Sequence, residues 1–138
     1  MTSTVIYAGD QRTVCSHLRS GTQIETDAPT DNKGKGERFS PSDLVATALA
    51  SCMLTIMGMR AGEMEVDLKN VKVEVEKLMK TDPRRIGGIN LTFHFPAELS
   101  LTERQQTILQ KAADTCPVIY SINPDIKVNV NYNWPVVV

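Results

Sequence analysis

The chain has 138 residues, with 15 Lys+Arg against 16 Asp+Glu and a formal charge of −1. That length suits a single domain over residues 1–138, with a core large enough to need no disulfide staples. The balanced charge supplies neither the basic stripe that neutralises phosphates nor an acidic tail, so nucleic acid is not an expected partner.

Thr4–Tyr7, Thr13–Leu18 and Gln23–Thr26 are rich in β-formers, and Ser20-Gly21 supplies a turn, so the first quarter reads as a strand meander. From Asp27 to Arg38 there is no apolar period, which predicts an exposed loop. Ser40-Pro41-Ser42-Asp43 then carries helix-start chemistry: Ser40 can cap, Pro41 suits the first helical position, and Asp43 sits where a capping box wants a carboxylate. The helix is expected over Pro41–Ala61. Nothing is charged between Asp43 and Arg60, and apolar residues lie on every face, so this helix is expected to be buried nearly all round.

Val71, Val73 and Val75 alternate with charged residues, as Ile89, Leu91, Phe93 and Phe95 alternate with polar ones after a Pro83–Gly88 loop. Two half-buried antiparallel strands follow from that period of two. Thr102 and Gln105 form a second capping box ahead of a helix to about Thr115, with Ile108, Leu109, Ala112 and Ala113 inward. After Cys116-Pro117 comes a short helical turn, then an alternating strand from Ile126 to Trp134. The predicted class is α+β, an antiparallel sheet packed on a central buried helix. One small domain rarely encloses so apolar a helix, so a second copy of the chain is the expected cover, as a homodimer.

The N-terminal MTSTVIYAGDQR lacks a charged leader and an apolar segment, so the cytoplasm is the expected location. The uncharged run Leu44–Met59 is too short and too polar for a membrane span, so no membrane partner is expected. Three cysteines, an odd number without an export signal, point to reduced thiols that are buried, catalytic or redox-sensing. Cys52 lies mid-helix, where it is either a small core residue or a reactive thiol that needs a nearby cation. Cys116 precedes Pro117 and reads as the N-cap of the next turn, where free N–H groups favour a thiolate. Cys15 reads as an ordinary strand residue. No pair among Cys15, His17, Cys52, His94 and Cys116 has ligand spacing, so neither a metal nor another cofactor is expected. Gly34–Gly36 lack a following P-loop lysine, and no G-x-S-x-G is present.

Arginine is the usual partner of a peroxidatic thiolate, and Arg12, Arg19, Arg38, Arg60, Arg84 and Arg85 are the candidates. Arg84 and Arg85 sit in a Pro/Gly loop and Arg60 at a helix end, which leaves Arg12 and Arg19, flanking a strand, as the more informative pair. Met53, Ile56, Met57 and Met59 either line an apolar pocket or pack the core.

Three stretches together resemble the OsmC/Ohr family, the osmotically induced and organic-hydroperoxide-resistance proteins. They are Ser20-Gly21 with Thr26-Asp27-Ala28-Pro29, Phe39-Ser40-Pro41-Ser42-Asp43-Leu44 through Ala50-Ser51-Cys52, and Cys116-Pro117 followed by Ile126–Val130. The resemblance implies an α+β fold in an intertwined homodimer, with sites at the subunit interface that reduce organic hydroperoxides, fatty-acyl ones among them. It implies Cys52 as the peroxidatic cysteine, Cys116 as the resolving one, and a lipoyl- or thioredoxin-like dithiol reductant as partner. Arg12 matches the family arginine, with Arg19 the alternative. The family glutamate after the helix-opening proline is missing: Ser42 stands there and Asp43 follows, turned by about 100° on a helix. The departure points to a divergent OsmC-like branch, and a stress-linked protein that binds an apolar ligand with little turnover is the alternative function.

Overall fold

The computed structural model describes residues 1–135; Met1–Val45 form one compact unit and the described residues from Ala46 onward a second. In the first unit β1 (Ser3–Gly9), β2 (Arg12–His17) and β3 (Gln23–Asp27) form an antiparallel sheet in that order. The β1–β2 reversal turns on Asp10 and Gln11 at φ 55° and 60°, the left-handed pair a tight hairpin needs. Val5 and Ile6 remain 62% and 66% exposed, with Tyr7 and Ile24 also open. A short 3-10 turn, Thr30–Asn32, interrupts the following loop. Gly34 is required there, because a Cβ would fall 1.7 Å from the Ala28 carbonyl oxygen. The loop was expected to be exposed from its first residue, but Asp27 is fully buried, since Arg12 opposite it on β2 neutralises its charge.

Helix α1 (Pro41–Glu63) opens with a reciprocal box: Asp43 N donates to Ser40 Oγ at 3.0 Å, and Ser40 N donates to Asp43 Oδ2 at 2.9 Å. Its 23 residues exceed the uncharged run and would suffice, by length and composition, to cross a bilayer. The apolarity instead serves a core. Ala46, Leu49, Ala50, Met53, Met57 and Ala61 form one buried stripe, whereas Met59 is 63% exposed. A single chain covers one face of α1, and the expected burial nearly all round calls for the second copy of the chain anticipated from its apolarity.

The second sheet holds β4 (Lys72–Lys80), β5 (Arg85–His94) and β6 (Lys127–Asn133) in that order. β4 and β5 pair antiparallel as expected, but β6 runs parallel to β5, so the sheet is mixed. Residues 95–126 between them carry α2 (Glu103–Ala113) and α3 (Pro117–Ser121), the kind of long crossover that parallel pairing requires. β5 also begins earlier than the alternation suggested. Gly87 and Gly88 belong to it, and the Lys80 chain lies where a Gly87 Cβ would sit, 2.3 Å from its Cγ.

Ile89, Leu91 and Phe93 of β5 join the α1 stripe, Leu101, and Leu109 and Ala113 of α2 in one hydrophobic core. The α2 box is realised in full, with Gln105 N donating to Thr102 Oγ1 at 3.1 Å and Thr102 N to Gln105 Oε1 at 2.9 Å. Aromatic rings stack along one edge: Phe93 on Tyr132 at 4.9 Å, Tyr132 on Trp134 at 5.1 Å and Trp134 on Phe95 at 4.6 Å.

The Tyr132 hydroxyl is buried with no hydrogen-bond partner among the described residues. Burial, aided by the charge of Asp114, pushes its pKa up to about 12. A raised folded-state pKa means the native state holds this proton more tightly than the unfolded chain. The stability it contributes is complete below pH about 10 and is lost as pH climbs toward about 12. Denaturant titrations at pH 8 and pH 11 should show Tyr132→Phe losing about 1 kcal/mol less than wild type over that interval, a ceiling of about 1.4 being reduced by partial solvent screening.

Candidate active site

Two thiols meet in the second unit. Cys52 stands on α1, half-exposed, packed against the core that contains Cys116. Cys116 is fully buried at the N-cap of α3, in extended backbone at φ −67° and ψ 141°, with Pro117 at the first helical position. Its Sγ accepts from Ile119 N at 3.4 Å, the capping geometry expected from the Cys-Pro sequence. Cys52 packs against the core that contains Cys116 and is near enough to influence its protonation, and both are free thiols.

Burial raises the pKa of Cys116; the Ile119 N–H opposes this, and the neighbouring Cys52 sulfur raises it further. The expectation that the N-cap would favour a thiolate at Cys116 is thus corrected. One short helix turn supplies a weaker field than the loss of solvent opposes. The pair is asymmetric, with Cys52 partly buried and Cys116 fully buried and holding its proton more tightly than a free thiol.

Arg12 stands at the start of β2 in the first unit, its side chain 20% exposed. Nε donates to Asp27 Oδ1 at 2.7 Å and Nη2 to Asp27 Oδ2 at 2.8 Å, while Glu37 Oε1 lies 3.4 Å from Nη2. This fork holds the Asp27 carboxyl below the usual carboxylate range and raises the guanidinium. From sequence Asp27 was the start of a loop and part of the Thr26–Pro29 stretch of the resemblance, with no partner assigned to it. Its signal lay in the strand register, which pairs Arg12 with Asp27 across β2 and β3 and cannot be read before the strands are aligned.

The other candidates have local roles. Arg19 lies exposed in the turn after β2. Arg38 pairs with Glu25 at 3.2 Å, Arg60 with Glu63, and Arg85 Nη1 donates to the Thr81 and Pro83 carbonyls. Asp43 is engaged in the α1 cap and Ser42 Oγ sits 3.2 Å from Ser40 Oγ. Cys15 is half-buried near Thr13, His17 bonds Ser20, and His94 lies between Glu74 and Asn133. Among the described residues no three His, Cys, Asp or Glu side chains are grouped to hold a metal ion.

Of the two readings of the helix methionines, Met53 and Met57 take the core one, whereas Met59 is exposed. Met53 and Met57 are core residues at 2% and 0% exposure, in one cluster with Leu49, residues of β5 and residues of α2. An open groove of about 510 Å³ instead runs beside α1, lined by Leu54, Gly58, Gly62, Val66, Leu68 and Val71.

With this geometry in place, the family model described as OsmC-like protein matches residues 34–131, most of the chain and both thiols. The chain belongs to the OsmC-like family. A crystal structure from Psychrobacter arcticus, described as a candidate osmotic stress induced and detoxification response protein, is 50% identical, with TM-score 0.92 over 96% of each chain. The organic hydroperoxide resistance protein OsmC of Legionella pneumophila shares the OsmC-like fold at 18% identity, TM-score 0.73, over 97% of this chain and 98% of that one. OhrB, an organic hydroperoxide resistance protein of Bacillus subtilis, is 17% identical with TM-score 0.65, over 96% and 98%. No curated protein sequence matches this OsmC-like chain.

Proposed function

We propose that this OsmC-like protein is a thiol peroxidase that reduces organic hydroperoxides to alcohols. The observation that carries the reading is the neighbouring pair of unlike thiols, Cys52 partly buried and Cys116 fully buried. The Cys52 thiolate attacks the terminal oxygen of ROOH. The O–O bond breaks, the alkoxide leaves and takes up a proton as alcohol, and Cys52 becomes a sulfenic acid. Cys116, protonated until this point, then attacks the Cys52 sulfur, water leaves, and the Cys52–Cys116 disulfide closes. A dithiol reductant, of lipoyl or thioredoxin type, restores both thiols by exchange. Arg12 is the cation assigned to the peroxide and the thiolate, in keeping with the family resemblance.

The working unit is an intertwined homodimer. The open apolar residues of the first sheet and the uncovered face of α1 support this, since neither finds its cover within its own unit. Such a dimer makes one domain of each chain and brings the sites to the subunit interface.

A coupled assay with cumene hydroperoxide and dihydrolipoate should show turnover dependent on the protein, on the order of 10³-fold or more above the uncatalysed rate. Consumption at the uncatalysed rate would remove the peroxidase reading. The groove beside α1 favours a second reading, an apolar-ligand protein without turnover, and saturable binding of a fatty acid by peroxide-inert protein would establish it instead.

A further inference from the structure

We infer that the hairpin end of the second sheet binds a small organic monocarboxylate, its charged head at Arg85 and Lys80 and its apolar body over the Gly87–Gly88 backbone. The site lies within one unit, and the inference does not rest on the peroxidase reading. Gly87 and Gly88 stand side by side in β5. Glycine weakens a strand, and it is found there at bulges and where a ligand or another chain segment comes close. The β4–β5 register skips Gly87, since Leu78 pairs with Gly88 and Met79 with Ile86, so Gly87 is the extra residue of a β-bulge. Cγ, Cδ and Cε of Lys80 occupy the space a Gly87 Cβ would need, which lays the lysine stem over this backbone. A hollow of about 220 Å³ opens here, walled by Leu78, Lys80, Gly88 and Lys127. Leu78, 45% exposed, gives it an apolar side.

A second cavity, of about 470 Å³, shares Lys80 and Gly87 with the first and adds Arg85, Asn123 and Asp125. Arg85 is fixed in place, because its Nη1 donates to the Thr81 and Pro83 carbonyls at 3.0 and 2.8 Å. Nε and Nη2 form the edge that grips a carboxylate through two parallel hydrogen bonds, and among the described residues they make none. The two cations face the single carboxylate of Asp125, which leaves one positive charge at the head of the site. That balance suits a monocarboxylate better than a phosphate dianion. The adjoining cavities thus combine an apolar hollow with a few fixed polar groups at one end, the anatomy of a small-molecule site.

Octanoate is the probe, titrated into the reduced full chain without peroxide and followed by calorimetry and by the amide shifts of Gly87 and Gly88. Saturable binding that moves both amides is expected. Arg85→Gln should weaken it at least tenfold, and Lys80→Met, which keeps the stem over Gly87, at least threefold. Octanol has the body without the charge and inorganic phosphate the charge without the body, so each should bind at least tenfold more weakly than octanoate. Octanoate that moves only amides along the groove beside α1, or that binds Arg85→Gln as tightly as wild type, would overturn the inference. Phosphate bound as tightly as octanoate would overturn it too, by showing a plain anion site. Should Arg85→Gln fail to fold, wild-type affinity in Lys80→Met would overturn it equally. An active peroxidase that does not bind octanoate overturns this inference alone, whereas a peroxide-inert protein that binds it at Gly87 and Gly88 supports it.

Discussion

Cys52→Ser is expected to abolish peroxide reduction, lowering turnover by on the order of 10³-fold or more, because no other thiol is both solvent-accessible and paired with a second sulfur. Cys116→Ser should behave differently. The first equivalent of hydroperoxide is consumed at close to the wild-type rate, but the product stops at a Cys52 sulfenic acid, trapped by dimedone, and further peroxide carries it to the sulfinic state. Both follow from burial. Under the proposed mechanism the fully buried Cys116, whose pKa is raised, holds its proton, and the partly buried Cys52 is the thiol assigned to the substrate. Equal loss of the first turnover in the two variants would show that the roles are not divided in this way.

Phe93→Ala is expected to have the largest effect on stability. Phe93 is fully buried near the C-terminal end of β5, in ring contact with Tyr132 at 4.9 Å and Phe95 at 6.5 Å, and belongs to the core that carries Cys116. Truncation removes ring burial and two stacking partners and leaves a cavity among β-strand residues that cannot collapse. The expected cost is about 3–5 kcal/mol, a fall in Tm of roughly 10 °C or more, measured by denaturant and thermal unfolding of the reduced protein. A loss under about 1 kcal/mol would mean that the ring stack is not a core element.

Much of this molecule could be read from local chemistry. Pro41 after Ser40, and Thr102 three residues before Gln105, marked helix starts whose hydrogen bonds all form. Pro117 after Cys116 marked the third start, and the thiol does cap it. These features depend on a few adjacent residues, so no distant contact can override them. What was hidden depended on contacts far along the chain. Alternation of Val128, Val130 and Tyr132 is the same for a parallel and an antiparallel strand, and only the crossover from β5 decides. The Cys116 pKa turned on how completely α1 and the core enclose it, which outweighs the cap. Arg12 and Asp27 are fifteen positions apart and meet only through the register of β2 and β3. The apolar runs of α1 gave its role as core helix but not the open face that leaves Met59 exposed.

The central claim is that Cys52 and Cys116 form one redox centre. Anaerobic titration of fully reduced wild-type protein with one equivalent of an organic hydroperoxide, read by intact mass and peptide mapping, tests it most directly. The account predicts loss of two thiols, a mass lower by two hydrogens, a single disulfide joining Cys52 to Cys116, and one equivalent of alcohol. All three thiols still titratable after the peroxide is spent, or a disulfide that involves Cys15, would contradict it.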